Sequence, residues 1–66
     1  NSQRVNINTA DQTALTGLPG IGEAKAKSII AYRTEHGRFS SIEEIMEIPG
    51  IKEAVFSKIK DYITVN

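Results

Sequence analysis

The sequence has no cysteine and no net charge, and each absence narrows what the chain can be. Without cysteine, neither a disulfide nor a thiolate-bound metal can hold a short chain together. The single histidine, His36, has no second metal-type residue at ligand spacing and sits beside Gly37, where a helix dipole favours it. No apolar run is long enough to span a bilayer, and no secretory signal is present. Eight basic residues cancel eight acidic ones, which counts against a polyanion partner, since neutralised phosphate supplies most non-specific nucleic-acid affinity. Sixty-six residues make one small domain, able to bury only about 60% of its unfolded surface. The chain opens on Asn1 rather than Met, so it reads as one domain over 1–66 from the C-terminal part of a larger protein.

What is present is a repeat. Pro19 and Pro49 lie 30 residues apart, and over Leu18–Tyr32 against Ile48–Tyr62 seven of fifteen positions agree. Unrelated segments of average composition share about one. Such self-similarity marks a duplicated supersecondary unit, and two copies imply a pair about a pseudo-twofold axis. Each copy reads as short helix, tight turn, longer helix, with motif one over about 10–37 and motif two over about 41–63. Thr9 with Gln12 spells a capping box for a helix over Ala10 to Thr16, and Ser41 with Glu44 another for Ile42 to Glu47. The second helix starts near Glu23 and stops at Gly37, with Ala26, Ile29, Ile30 and Arg33 on one face. Arg33 is expected to pack its stem and spend its guanidinium on carbonyls or an acid. The fourth helix turns Val55, Ile59, Tyr62 and Ile63 inward by the same spacing. Val5, Ile7, Thr64 and Val65 look extended, but no stretch reads as a sheet. The fold class is all-α, four helices.

The turn "LPGIG" at Leu18–Gly22 is odd for the approach to a helix. Pro19 fixes φ, Gly20 permits φ > 0 or close backbone approach, and Ile21 is an apolar plug. Gly22 opens the longer helix with no side chain outside. The unpartnered N–H groups there, with the positive end of the dipole, favour an anion, phosphate above all. Lys25 and Lys27 follow within one turn as point charges. The bland alternative is a compact turn with solvated lysines beside it. The second copy, "IPGIK", keeps Gly50 and Ile51 but puts Lys52 where Gly22 stood. Lys52 either blocks phosphate from the main chain or replaces a hydrogen bond with charge, and the second is preferred, because a dipole alone would select an acid there. Glu23 and Glu53 suit a helix start and weaken the positive field.

"LPGIG" with "EAKAKSII", and "IPGIK" with "EAVFSKI", resemble the helix-hairpin-helix motif. With "VNINTA" at Val5–Ala10 and "AYRTEHGRFSSIEEI" at Ala31–Ile45, nearly the whole chain is similar to the DNA-binding domains of ComEA-type competence proteins. The resemblance implies two hairpins gripping phosphates of double-stranded DNA across the minor groove, without sequence specificity. With the cradle argument above, the residues expected to make the contact are Gly20, Ile21, Gly22, Lys25, Lys27, Gly50, Ile51 and Lys52, the last a departure from the family's glycine. The resemblance also implies a parent protein on the outer face of the cytoplasmic membrane or in the periplasm, serving DNA uptake in transformation beside other uptake proteins. Hairpins of related modules hold a monovalent cation on turn carbonyls, here those of Thr16, Leu18 and Ile21, with Met46, Ile48 and Ile51 in the second copy. No organic cofactor is implied.

Phe39, Phe56 and the two tyrosines fall mainly at core positions, which disfavours base stacking and single-strand binding. No nucleophile, base and orienting group can be assembled, so the chain reads as a binding module, not an enzyme. The rival reading is a protein–protein or structural module that kept the fold without DNA. A DNA-binding accessory of a nuclease or repair enzyme would differ only in the rest of its parent protein.

Overall fold

Two Pro-Gly turns, thirty residues apart, set the course of the chain. In the first, the Ile21 N–H donates to Leu18 O at 3.1 Å; in the second, the Ile51 N–H donates to Ile48 O at 3.0 Å. Pro stands second in each turn and Gly third, with φ of 79° at Gly20 and 92° at Gly50. That is the arrangement of a type II turn, which needs a left-handed third residue and so selects glycine.

In the computed structural model, which describes residues 4–65, these turns join two helix pairs. The order is β1 (Val5–Asn6), α1 (Gln12–Thr16), α2 (Glu23–His36), a 3₁₀ helix (Ile42–Glu47), α3 (Glu53–Ile59) and β2 (Ile63–Thr64). The domain expected over 1–66 is described except at its extreme ends, and Asn1 lies outside the described residues. Equivalent positions behave alike in the two halves. Leu15 and Ile45, Leu18 and Ile48, Ile21 and Ile51, Ala26 and Phe56, and Ile29 and Ile59 are all buried, and the two motifs share one core with Ile7, Phe39 and Ile63. Four helices in two related pairs are what the repeat predicts.

The ends of the elements depart from the sequence reading. The capping box at Thr9 does not form. Asp11 caps α1 instead, its carboxylate accepting the Ala14 N–H at 2.9 Å. The Thr9 and Ala10 N–H groups are turned back onto Asn6 O, so the helix starts two residues later than expected. Ser41 stands at the start of the 3₁₀ helix without a side-chain cap bond, and Glu44 reaches past it to the Ser40 N–H. Gly37 stops α2 as expected, at φ 87°, its N–H on Arg33 O.

The extended ends also pair, which the sequence reading did not foresee. β1 and β2 run parallel, with Val5 opposite Ile63 and Asn6 opposite Thr64. This pairing ends α3 early and corrects the placement of Tyr62. Its carbonyl accepts the Val5 N–H at 2.7 Å, and its side chain stands 53% exposed. Its counterpart Tyr32, still inside α2, stacks on Phe39 with ring centroids 5.1 Å apart.

Asn8 locks the closure. Its Nδ2 donates to Phe39 O and Val65 O, both at 3.1 Å, and its Oδ1 accepts the Phe39 N–H. One amide thus joins the N-terminal segment, the loop between the motifs and the C-terminal segment. Arg33 adds a bond from Nη1 to Ile7 O at 2.8 Å, the use of its guanidinium that its place on an apolar face implied. Removing three part-buried bonds at once should be costly in so small a domain. Asn8→Ala is expected to destabilise it by about 2–3 kcal/mol, a fall in Tm of about 10–20 °C by thermal circular dichroism. A fall under about 4 °C would mean that the closure contributes little.

Candidate nucleic-acid interface

The expected contact residues separate into those that make the turn and those that face outward. Gly20 and Gly50 serve the turn through their positive φ. Ile21 and Ile51 do not offer their side chains to any ligand: they are 3% and 0% exposed, and their N–H groups close the turns. The plug expected of Ile21 is thus in place, and Ile51 repeats it. Burial of an isoleucine contributes about 1.5–3 kcal/mol, so each seats its hairpin on the core.

Gly22 is different. At φ −90° and ψ −172° it has extended backbone open to any residue, and a Cβ built on it would meet nothing within 4 Å. Neither turn geometry nor packing demands glycine here. No side chain caps α2, in contrast to Asp11 on α1, so the first-turn N–H groups lack the partner that α1 has. The acid nearest in sequence is drawn aside, because Glu23 Oε2 accepts from Gln12 Nε2 on α1 at 3.2 Å. Lys52 holds the matching position before α3, at φ −115° and ψ −167°, also uncapped and exposed.

The lysines and arginines have different duties. Arg4, Arg33 and Arg38 each donate to a main-chain carbonyl, of Asp61, Ile7 and Val65. Among the described residues no lysine lies within 4 Å of an acid; the one short acid–base contact joins Glu35 and His36. The balance of formal charge therefore conceals five lysines without a close acid, four of them exposed. Lys27 on α2 is exposed, while Lys25 is half-buried. Its stem does not lie on its own hairpin: a Cβ on Gly50 would fall 3.8 Å from Lys25 Cε. Lys58, a helix-face cation that sequence reasoning left out of the contact set, approaches the first hairpin in the same way, its Cδ 3.8 Å from a Cβ built on Gly20. Only the fold brings those pairs together. The signal in the sequence was faint: Lys58 stands one helical turn beyond Val55, the counterpart of Lys25.

The turn carbonyls of Leu18 and Ile48 each accept one bond, leaving a lone pair apiece.

The helix-hairpin-helix motif model matches residues 1–64. The chain belongs to the helix-hairpin-helix family. This helix-hairpin-helix domain is 56% identical over 61 residues to "ComE operon protein 1" of Bacillus subtilis, covering 92% of this chain and 30% of that protein. An uncharacterised protein of Haemophilus influenzae is 41% identical over 63 residues, covering 94% of this chain and 56% of its own length. "Endonuclease/exonuclease/phosphatase family domain-containing protein 1" of Homo sapiens is 40% identical over 60 residues, 91% of this chain but 10% of that protein. The domain thus spans a minor or middling share of the relatives it matches. The first of them bears out the likeness to ComEA-type proteins.

An uncapped helix start with a bare, unstrained glycine can be tested directly. Gly22→Val is compatible with the extended backbone, and the poorer cap should cost no more than about 1 kcal/mol. Affinity for duplex DNA is expected to fall at least about tenfold, with circular dichroism showing a folded domain. Unchanged affinity in the folded variant would reduce "LPGIG" to a turn.

Proposed function

We propose that this domain binds double-stranded DNA through its phosphate backbone, without regard to sequence, as the DNA-receptor domain of a protein that takes up DNA in natural transformation. The observation that carries the reading is the open, uncapped start of α2 at Gly22, beside lysines that have no acid within 4 Å among the described residues. Phosphate meets N–H groups on the positive end of a 14-residue helix there, with no side chain in the way. Gly20, Gly22, Lys25 and Lys27 are assigned to the contact, with Gly50 and Lys52 in the second motif. Ile21 and Ile51 act by seating the turns. Lys52 supplies charge in place of the missing glycine, since a lysine is neither a good cap nor favoured by the dipole. A monovalent cation on the carbonyls of Thr16, Leu18 and Ile21, and on those of Met46, Ile48 and Ile51, would add a positive charge beside the phosphate.

The likeness to the Bacillus subtilis protein supports a role in competence, and with it a parent protein outside the cytoplasm, membrane-anchored or periplasmic, working with other uptake proteins. No described helix is long and apolar enough to cross a membrane. The nuclease-type name of the mammalian relatives attaches to proteins of which this domain covers a tenth, so it supports a portable binding module rather than a catalytic unit. One rival has observations in its favour. Zero net charge and Lys52 in place of glycine suit a protein-binding or structural module that kept the fold.

A salt titration separates the two. Binding to random-sequence duplex should show log K falling against log salt with a slope of about −2 to −5, at about −0.9 for each phosphate neutralised. Replacing K⁺ by tetramethylammonium at matched ionic strength should weaken binding further if the turn carbonyls hold a cation. Strong preference for one sequence, or no binding to duplex at low salt, would favour the rival.

A further inference from the structure

Each turn glycine has a lysine stem from the other motif beside it. Lys58 of α3 lies along Gly20 of the first turn, together with Val55, whose Cγ1 is 3.9 Å from a Cβ built there. Lys25 of α2 lies along Gly50 of the second. Both glycines are exposed, so each lysine stem crosses the outer surface of a turn rather than the core. The ammonium is one bond beyond the contacting carbon in Lys25 and two beyond it in Lys58, which leaves it at the rim of the turn. Neither ammonium has an acidic partner among the described residues.

The repeat makes the exchange non-trivial. Lys25 corresponds to Val55 and Lys58 to Ser28. The two copies therefore place their lysine at different positions on the helix face, three residues apart, yet each reaches the other's turn. A lysine acting on its own hairpin has no need of this crossing.

We propose that Lys58 is a DNA-contacting residue and that phosphate neutralisation is exchanged between the motifs: Lys58 serves the phosphate held at the first hairpin, and Lys25 the one at the second. The proposal rests on the DNA-binding reading above. It changes which residues act together. A phosphate at Gly22 is contacted by main chain from motif one and by charge from motif two, so each hairpin works only with the fold intact. An isolated hairpin would lose its cation as well as its packing.

Double-mutant cycles on the whole domain, read by fluorescence anisotropy with a labelled random-sequence duplex at low salt, test the pairing. Lys58→Gln and Lys25→Gln should each weaken binding about threefold to tenfold and shallow the salt slope by about 0.9. Lys58→Gln should cost much less when Gly22→Val is already present, because the first hairpin then no longer holds its phosphate, while Lys25→Gln should cost the same in either background. Coupling of Gly22→Val to Lys25→Gln instead would overturn the exchange while leaving DNA binding intact, as would full additivity of both pairs. No duplex binding by the parent domain would overturn the DNA reading and the exchange together. Gly22→Ala, a smaller intrusion at the same open position, replaces Gly22→Val in the cycle if circular dichroism finds the valine variant unfolded.

Discussion

Everything on the outer face of this domain depends on two buried isoleucines. Ile21 and Ile51 follow the glycines of two type II turns, and each goes straight into the core. Because the turn closes its own N–H onto the carbonyl three residues back, the hairpin is fixed before the longer helix begins. The helix then starts at a set place and in a set direction, with its first N–H groups outward. Stability and presentation are obtained from the same five residues, which a domain of 66 residues without cysteine to form a disulfide requires.

The second dependence is on closure of the ends. A parallel ladder of two residues is weak alone, and a short hairpin or ladder needs packing to persist. Here Asn8 and Arg33 tie it to the inter-motif loop and to α2, so the chain ends are clasped to both motifs. The arginines spend their charge on carbonyls in this clasp, and the lysines are left for the surface. Zero formal charge therefore coexists with lysines that have no acid within 4 Å among the described residues.

Much of this was legible in the sequence. The 30-residue repeat fixed the number of helices and the turns, and glycine and proline marked the turn chemistry, because those residues have few other uses there. The helix starts were misread where competing caps stood close together: Asp11 outcompeted Thr9, since the chain before it was already folded back on Asn6. The β1–β2 pairing and the exposure of Tyr62 were invisible, because contacts between residues nearly sixty apart leave no local pattern. The site was half legible. Gly22 stood out as a glycine in an unexpected place, but the position of Lys58 over Gly20 arises only when the two motifs are packed together.

The central claim is that the bare start of α2 receives phosphate on its main chain. Amide chemical shifts of the ¹⁵N-labelled domain, followed as a short random-sequence duplex is added, test it most directly. The account predicts the largest changes at the amides of Gly20, Gly22, Glu23 and Ala24, with a second group around Gly50 and Lys52, and little change along Ile42–Glu47. Changes centred on that acidic 3₁₀ helix, or a bound state in which the Gly22 and Glu23 amides do not move, would contradict it.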